Sequence, residues 1–205
     1  MSLYSIAAFA HVVGALGLFV AMGLEWVIVA RVRHAGTAEQ ARDWLDLLGV
    51  IRWLSPASMA TLLLAGIYMA VTAWGGAPWI LAAFAGLVLL PAMGAITLRR
   101  LPRIAQEISG ESGPLSDARR RDLDDPLLTA SIQTRTALAL GIVFLMTNKP
   151  DAVGSVATIV TALMLGLAFS WPALTHAIRE RGKARGVGGD AAGAESPPRD
   201  VGRAT

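Results

Sequence analysis

From Trp53 to Leu98 the sequence reads WLSPASMATLLLAGIYMAVTAWGGAPWILAAFAGLVLLPAMGAITL, a run of 46 residues without one Asp, Glu, Lys or Arg. That is roughly twice the ~20 residues one helix needs to cross the hydrocarbon of a bilayer. Its midpoint, Trp74-Gly75-Gly76-Ala77-Pro78-Trp79, supplies flexible residues for a tight turn and a proline to start a second helix. The two tryptophans match the aromatic belt that forms where bilayer meets water. The run therefore reads as a membrane helical hairpin. In hydrocarbon every backbone donor and acceptor must be paired within the segment, and for a single segment only a helix does so.

The rest of the chain follows the same pattern. Of 205 residues, 54% are hydrophobic and 16% charged, and the mean hydropathy is +0.54. A soluble domain carries nearer a quarter charged residues. The composition also excludes disordered and collagen-like classes, and the absence of cysteine excludes a disulfide scaffold. Hydropathy divides the chain into five apolar spans, Leu3–Ala30, Trp53–Trp74, Pro78–Leu98, Leu127–Asn148 and Val153–Ile178. The last two are joined by Asn148-Lys149-Pro150-Asp151, again a short connection suited to antiparallel neighbours. The expectation is an all-α membrane protein: five transmembrane helices in an antiparallel bundle over residues 1–185, and a disordered cytoplasmic tail over 186–205. That tail is rich in Gly, Ala, Pro, Ser and charge, which cannot bury a core. Short helices along the membrane face are expected over 37–48 and within 101–125, where Ser116-Asp117-Ala118-Arg119 resembles a helix start. Five spans do not divide into the inverted halves common among transporters, which places a small transporter or channel third among the functional readings.

Sidedness follows from the basic residues. Sixteen of the eighteen Lys and Arg lie in the connection between spans one and two, the connection between spans three and four, or the tail. Lys149 is the sole basic residue in a loop on the opposite side, and Arg135 lies within span four. Cytoplasmic loops retain positive charge, so the N-terminus is expected outside and the C-terminus in the cytoplasm of a bacterial inner membrane. Span one has no basic residue ahead of it and is too long for a cleaved signal, so it is expected to remain as an anchor. The net charge of +3 then reads as a topology signal and an attraction to anionic lipid, with no nucleic-acid partner implied.

Ionisable groups at membrane depth are costly and need a reason. Glu25 lies six residues, about 9 Å, inside the cytoplasmic end of span one, and Arg135 lies about 12 Å inside the same end of span four. Matching depths suggest an ion pair between the two spans; the alternative is that each snorkels separately to the headgroups. Such a pair would be structural rather than catalytic. His11 lies about 12 Å below the outer surface with the small neighbours Ala7, Gly14 and Ala15 one turn away. Small residues there admit a neighbouring helix or a flat ligand. Helical spacing puts His11, Leu18, Met22 and Glu25 near one face, expected to turn into the bundle. Met69 and Met146 occupy the same membrane half as His11, and imidazole with thioether donors suits copper(I). The simpler reading of His11 is a hydrogen-bonded interhelical side chain. Pro56 falls in the first turn of span two, whereas Pro91 and Pro172 interrupt spans three and five and are expected to kink them. Thr97, Ser170 and Thr175 are near enough to satisfy the freed carbonyls.

The element His11-Val12-Val13-Gly14, with Arg135-Thr136-Ala137-Leu138 leading into Phe144-Leu145-Met146-Thr147-Asn148-Lys149-Pro150, resembles a group of uncharacterised bacterial integral membrane proteins. These are distantly similar to the membrane domain of copper-resistance D proteins, which also place a histidine early in a first helix. The resemblance covers the five spans loosely and implies their fold without an established activity. The expected function is an accessory or structural component of the inner membrane, without catalysis of its own, packed by small residues, with the lipid bilayer and a homo-oligomer or another membrane protein as partners. No cofactor is expected under that reading. The alternative is a copper- or haem-linked protein using His11.

Overall fold

The computed structural model describes residues 2–115, 126–171 and 175, and these are helical nearly throughout. Helix α1 spans Leu3–Arg33 and begins where the Ser2 hydroxyl accepts from the Ser5 amide (3.2 Å). A short helix α2, Ala38–Leu45, leads into α3, Leu48–Met69, which widens into a π turn over Ala70–Trp74. Helices α4, α5 and α6 follow as Pro78–Ser109, Pro126–Asn148 and Ala152–Trp171. Among the described residues, five helices are long and apolar enough to cross a membrane: α1, α3 with its π turn, α4, α5 and α6. The connections are tight. Gly75 ends the π turn at φ 61°, a left-handed conformation open to glycine, and Lys149 takes φ 49° after α5.

Three expectations from the sequence are corrected. Span two begins at Leu48 rather than Trp53, so Pro56 lies inside the helix and not in its first turn. Arg52 is exposed, so its charge does not end the helix, which extends backwards to Leu48. The helix of span three does not stop at Leu98; it runs through Pro102 to Ser109 and so takes up the first part of the 101–125 segment. Proline removes one backbone hydrogen bond, and here packing offsets that loss. Leu101, Ile104 and Ile108 recur at helical spacing and are buried against Ala38, Ala41 and Leu45 of α2. The proposed start at Ser116, the kink at Pro172 and the tail over 186–205 lie outside the described residues.

Two apolar cores hold the helices. One gathers Ile28 and Val32 of α1, α2, the end of α4, and Leu128 and Ile132 of α5. The other gathers Leu18 and Met22 of α1, Leu62 of α3, Leu87 and Leu90 of α4, and Leu138 and Leu145 of α5. Large apolar side chains also cover the outside, with Phe9, Leu64, Val153 and Phe169 each more than 60% exposed. A water-soluble protein rarely presents apolar surface so widely.

A polar clasp closes the end formed by α2 and the last turns of α4. The Ala38 amide donates to Gly113 O (2.9 Å), the Leu115 amide to Gly36 O (3.4 Å), and Arg42 to Ser109 O (3.1 Å). Glu39 receives the Gly113 amide at 3.1 Å. Its own backbone amide, then Gly113 and the Thr37 hydroxyl, hold the Glu39 carboxyl below its ordinary value of 4.5. A depressed folded-state value means that the contact contributes at neutral pH and is lost as pH falls through that value. Amide exchange at Gly113 is therefore expected to accelerate below about pH 4.5, after correction for intrinsic rates. In Glu39→Gln this extra acid sensitivity should disappear.

Candidate functional site

Several polar side chains of the helices reach across to a neighbouring helix. Glu25 and Arg135, separated by 110 residues in sequence, form a two-point ion pair, with Arg135 Nη1 donating to Glu25 Oε1 at 3.2 Å and Nη2 donating to Oε2. Both residues are buried, at 6% and 9% exposure. Two parallel N–H···O contacts fix the relative rotation of α1 and α5 as well as their spacing. Gly94 of α4 makes room for the guanidinium, since a Cβ there would sit 2.9 Å from Arg135 Nη1. On either side, Trp26 Nε1 donates to Thr136 Oγ1 (3.1 Å) and Arg33 Nη2 to Thr129 Oγ1 (2.7 Å). Ser131 Oγ donates to Met93 O on α4 (2.9 Å), and Ser170 Oγ lies 2.8 Å from Gln133 Oε1.

The hydroxyls expected to mend the proline kinks are engaged elsewhere. Thr97 Oγ1 donates to Ser131 Oγ at 3.5 Å rather than to Leu87 O, the carbonyl one turn before Pro91. Ser170 reaches Gln133 and Gly166 O, and Thr175 reaches Trp171 O. Pro91 is accommodated within an α4 that stays helical on both sides. Among the described residues one buried side-chain polar atom, Thr134 Oγ1, has no partner; it sits where α6 approaches most closely through Gly166.

His11 is half-buried between α1 and α3, with Nδ1 3.0 Å from Leu62 O. A carbonyl can only accept, so Nδ1 carries the proton, and in the neutral ring Nε2 keeps its lone pair. His11 makes no other hydrogen bond among the described residues. It lines a half-open cavity of about 80 Å³ between α1, α3, α4 and α5, shared with Gly66, Ala70, Phe84 and Met146. The structure thus brings His11 and Met146 to one cavity and leaves Met69 outside its lining. Haem does not fit, because the space is about half of the ~150 Å³ that encloses a single benzene ring. For copper(I) the lining supplies one imidazole nitrogen and one thioether, the rest being hydrocarbon. Among the described residues no three His, Asp or Glu side chains are grouped to hold a metal ion.

At the other side of the π turn, Trp74 Nε1 donates to Tyr4 OH (3.3 Å), Trp79 stands edge-on to Trp74 at 5.5 Å, and Lys149 Nζ lies 4.0 Å over the Trp74 ring. Sequence reading placed the tryptophans at a membrane boundary but missed this cation–π closure of both connections. No protein family, curated protein or solved structure matches the chain.

Proposed function

We propose that the chain is a multi-pass protein of a bacterial inner membrane that acts as an accessory or structural membrane component. Its helices run antiparallel, with the N-terminus outside and the clasp end in the cytoplasm. The observation that carries this reading is the use made of polar groups at depth. Glu25, Trp26 and Arg33 engage Arg135, Thr136 and Thr129, and His11 engages Leu62, so these polar side chains fasten one helix to another. Polar contacts between helices in lipid hold a bundle where the hydrophobic effect no longer separates helix from solvent.

The antiparallel arrangement is supported by pairings that advance along α1 as they retreat along its neighbours: His11 with Gly66 and Gly17 with Ser58, then Trp26 with Thr136 and Arg33 with Thr129. The orientation is supported by Arg31, Arg33, Arg42 and Arg52 between the first and second spans and by the arginines between the third and fourth. Kinship with the membrane domain of copper-resistance D proteins belongs to the same proposal. It is supported by the His11-Val12-Val13-Gly14 element, whose glycine meets the Leu62 backbone.

Reporter fusions test the orientation. A fusion after Lys149 should show periplasmic phosphatase activity and no cytoplasmic fluorescence, and one after Gly113 the reverse. A cytoplasmic signal at Lys149 would overturn the arrangement.

A further inference from the structure

The backbones of α3 and α4 stay apart over most of their length, although a short turn at Gly75, Gly76 and Ala77 joins the two helices. Elsewhere the helices meet closely: Gly14 and Gly17 set α1 against Leu62 and Ser58 of α3, and Gly86 sets α4 against Ile142 of α5. The cavity of about 80 Å³ lies in the gap. Leu62, Ala83, Leu87 and Ile142 are buried and form its floor, whereas Ile67 of α3 and Phe84 of α4 line it and are 47% and 46% exposed, which makes them its rim. The cavity therefore opens sideways between α3 and α4. Ala83 and Leu87 lie four and eight residues beyond Trp79, about 6 and 12 Å along α4 from the tryptophan end, a depth at which a bilayer offers acyl chains.

We propose that this cleft is a binding site for the acyl chain of a membrane lipid, and that it takes an unbranched segment of about three carbons from the leaflet on the tryptophan side. A cavity of ~150 Å³ encloses the six carbons of benzene, so about 80 Å³ holds roughly three. The lining sets the chemistry: apart from His11, whose Nδ1 is bonded to Leu62 O, it is hydrocarbon, one phenyl ring and one thioether. Water is a poor occupant there, since a buried water needs two to four polar partners. Leaving the space empty forfeits dispersion contacts on every lining side chain. An acyl chain supplies those contacts and reaches the rim without leaving the hydrocarbon. The volume sets the selectivity, because a methyl branch puts a fourth carbon into the same stretch and a ring needs about twice the space. Gly66, Ala70 and Ala83 keep the cleft open, and a leucine in place of Ala70 would fill it. The site rests on the membrane location proposed above and is independent of which end faces the cytoplasm.

The test uses the full chain reconstituted in vesicles that contain a trace of phosphatidylcholine carrying a diazirine midway along one unbranched acyl chain. Two host lipids are compared, dioleoyl phosphatidylcholine and its methyl-branched diphytanoyl counterpart, and the labelled residues are mapped by mass spectrometry. Ile67 and Phe84 report on the cleft, while the exposed Val156 and Val160 of α6 report on bulk lipid. The ratio of cleft to α6 labelling should be about threefold or more higher in the branched host, where the probe meets no unbranched competitor for the contacts inside the cleft. In Ala70→Leu the ratio should fall to one low value in both hosts. Equal ratios in the two hosts for the unmutated protein would overturn the site, whatever the variant does. Labelling of α6 without the cleft would also overturn it and leave the membrane location standing, whereas labelling of neither would overturn both. A cleft signal that falls as more protein is packed into the bilayer, while that of α6 holds, would assign the groove to a second copy of the chain and overturn the lipid.

Discussion

Replacing either Glu25 or Arg135 alone by glutamine is expected to destabilise the protein by about 3–5 kcal/mol, and replacing both to cost less than either single change. The reason is the asymmetry of a buried pair. In the native protein each charge is matched by a bidentate partner at 6% and 9% exposure. Glu25→Gln leaves a guanidinium facing a neutral amide, with α1, α4 and α5 closed around it. Arg135→Gln leaves a carboxylate in the same position. The double variant removes both charges and places two amides within reach of each other, so the desolvation of an unmatched ion disappears. Unfolding temperature in a mild detergent is the direct measurement, with the four proteins forming a double-mutant cycle. Additive losses would show that the two side chains do not interact across α1 and α5. The flanking contacts provide a comparison. Thr136→Val removes the acceptor for Trp26 Nε1 but leaves no buried charge, so its loss should be nearer 1 kcal/mol.

The difference between those two losses also explains what could be read from the sequence. A charge in an apolar run is rare because it is costly, so Glu25 and Arg135 stand out in the chain, and counting residues from the span ends puts them at one depth. The structure sets their side chains against each other. Hydroxyls carry no such signal. Thr136, Thr147 and Thr158 each donate to the carbonyl four residues back, as a threonine does in almost any helix. Nothing in the sequence marks Thr136 as also receiving Trp26. His11 has the same difficulty: its partner is the backbone carbonyl of Leu62, which has no sequence signature.

Helix ends were harder to read than helix existence, for a related reason. The extension of α4 past Leu98 runs through Arg99, Arg100, Pro102 and Arg103, which resemble the edge of a membrane segment. The deciding pattern is the period of Leu101, Ile104 and Ile108, which buries one face of the extension while Arg103 stays exposed and pairs with Glu107. The clasp between Gly36–Ala38 and Gly113–Leu115 is built mostly from backbone groups and is likewise invisible to residue type.

The second large effect is expected where two helices touch through a glycine. At Gly166 of α6, a Cβ would lie 2.4 Å from the Thr134 Cα of α5, an atom of the main chain that no rotamer change can move. Gly166→Ala must therefore push α6 away from α5. Separation stretches the Ser170 to Gln133 contact, which lies one turn further on, and opens the packing of Ala162 on Gly141 one turn before. Overpacking of this kind costs about 1–3 kcal/mol, and Gly166→Val should exceed that range because a branched side chain cannot turn aside. Gly23 of α1 supplies the control. It has nothing within 4 Å of the position a Cβ would take, so Gly23→Ala adds only helix propensity and should stabilise by up to about 1 kcal/mol. Opposite signs from the same chemical change at two helical glycines, read as unfolding temperatures, would locate the stabilising role of glycine in helix approach. Equal small losses at both would show instead that α6 is not held against Thr134.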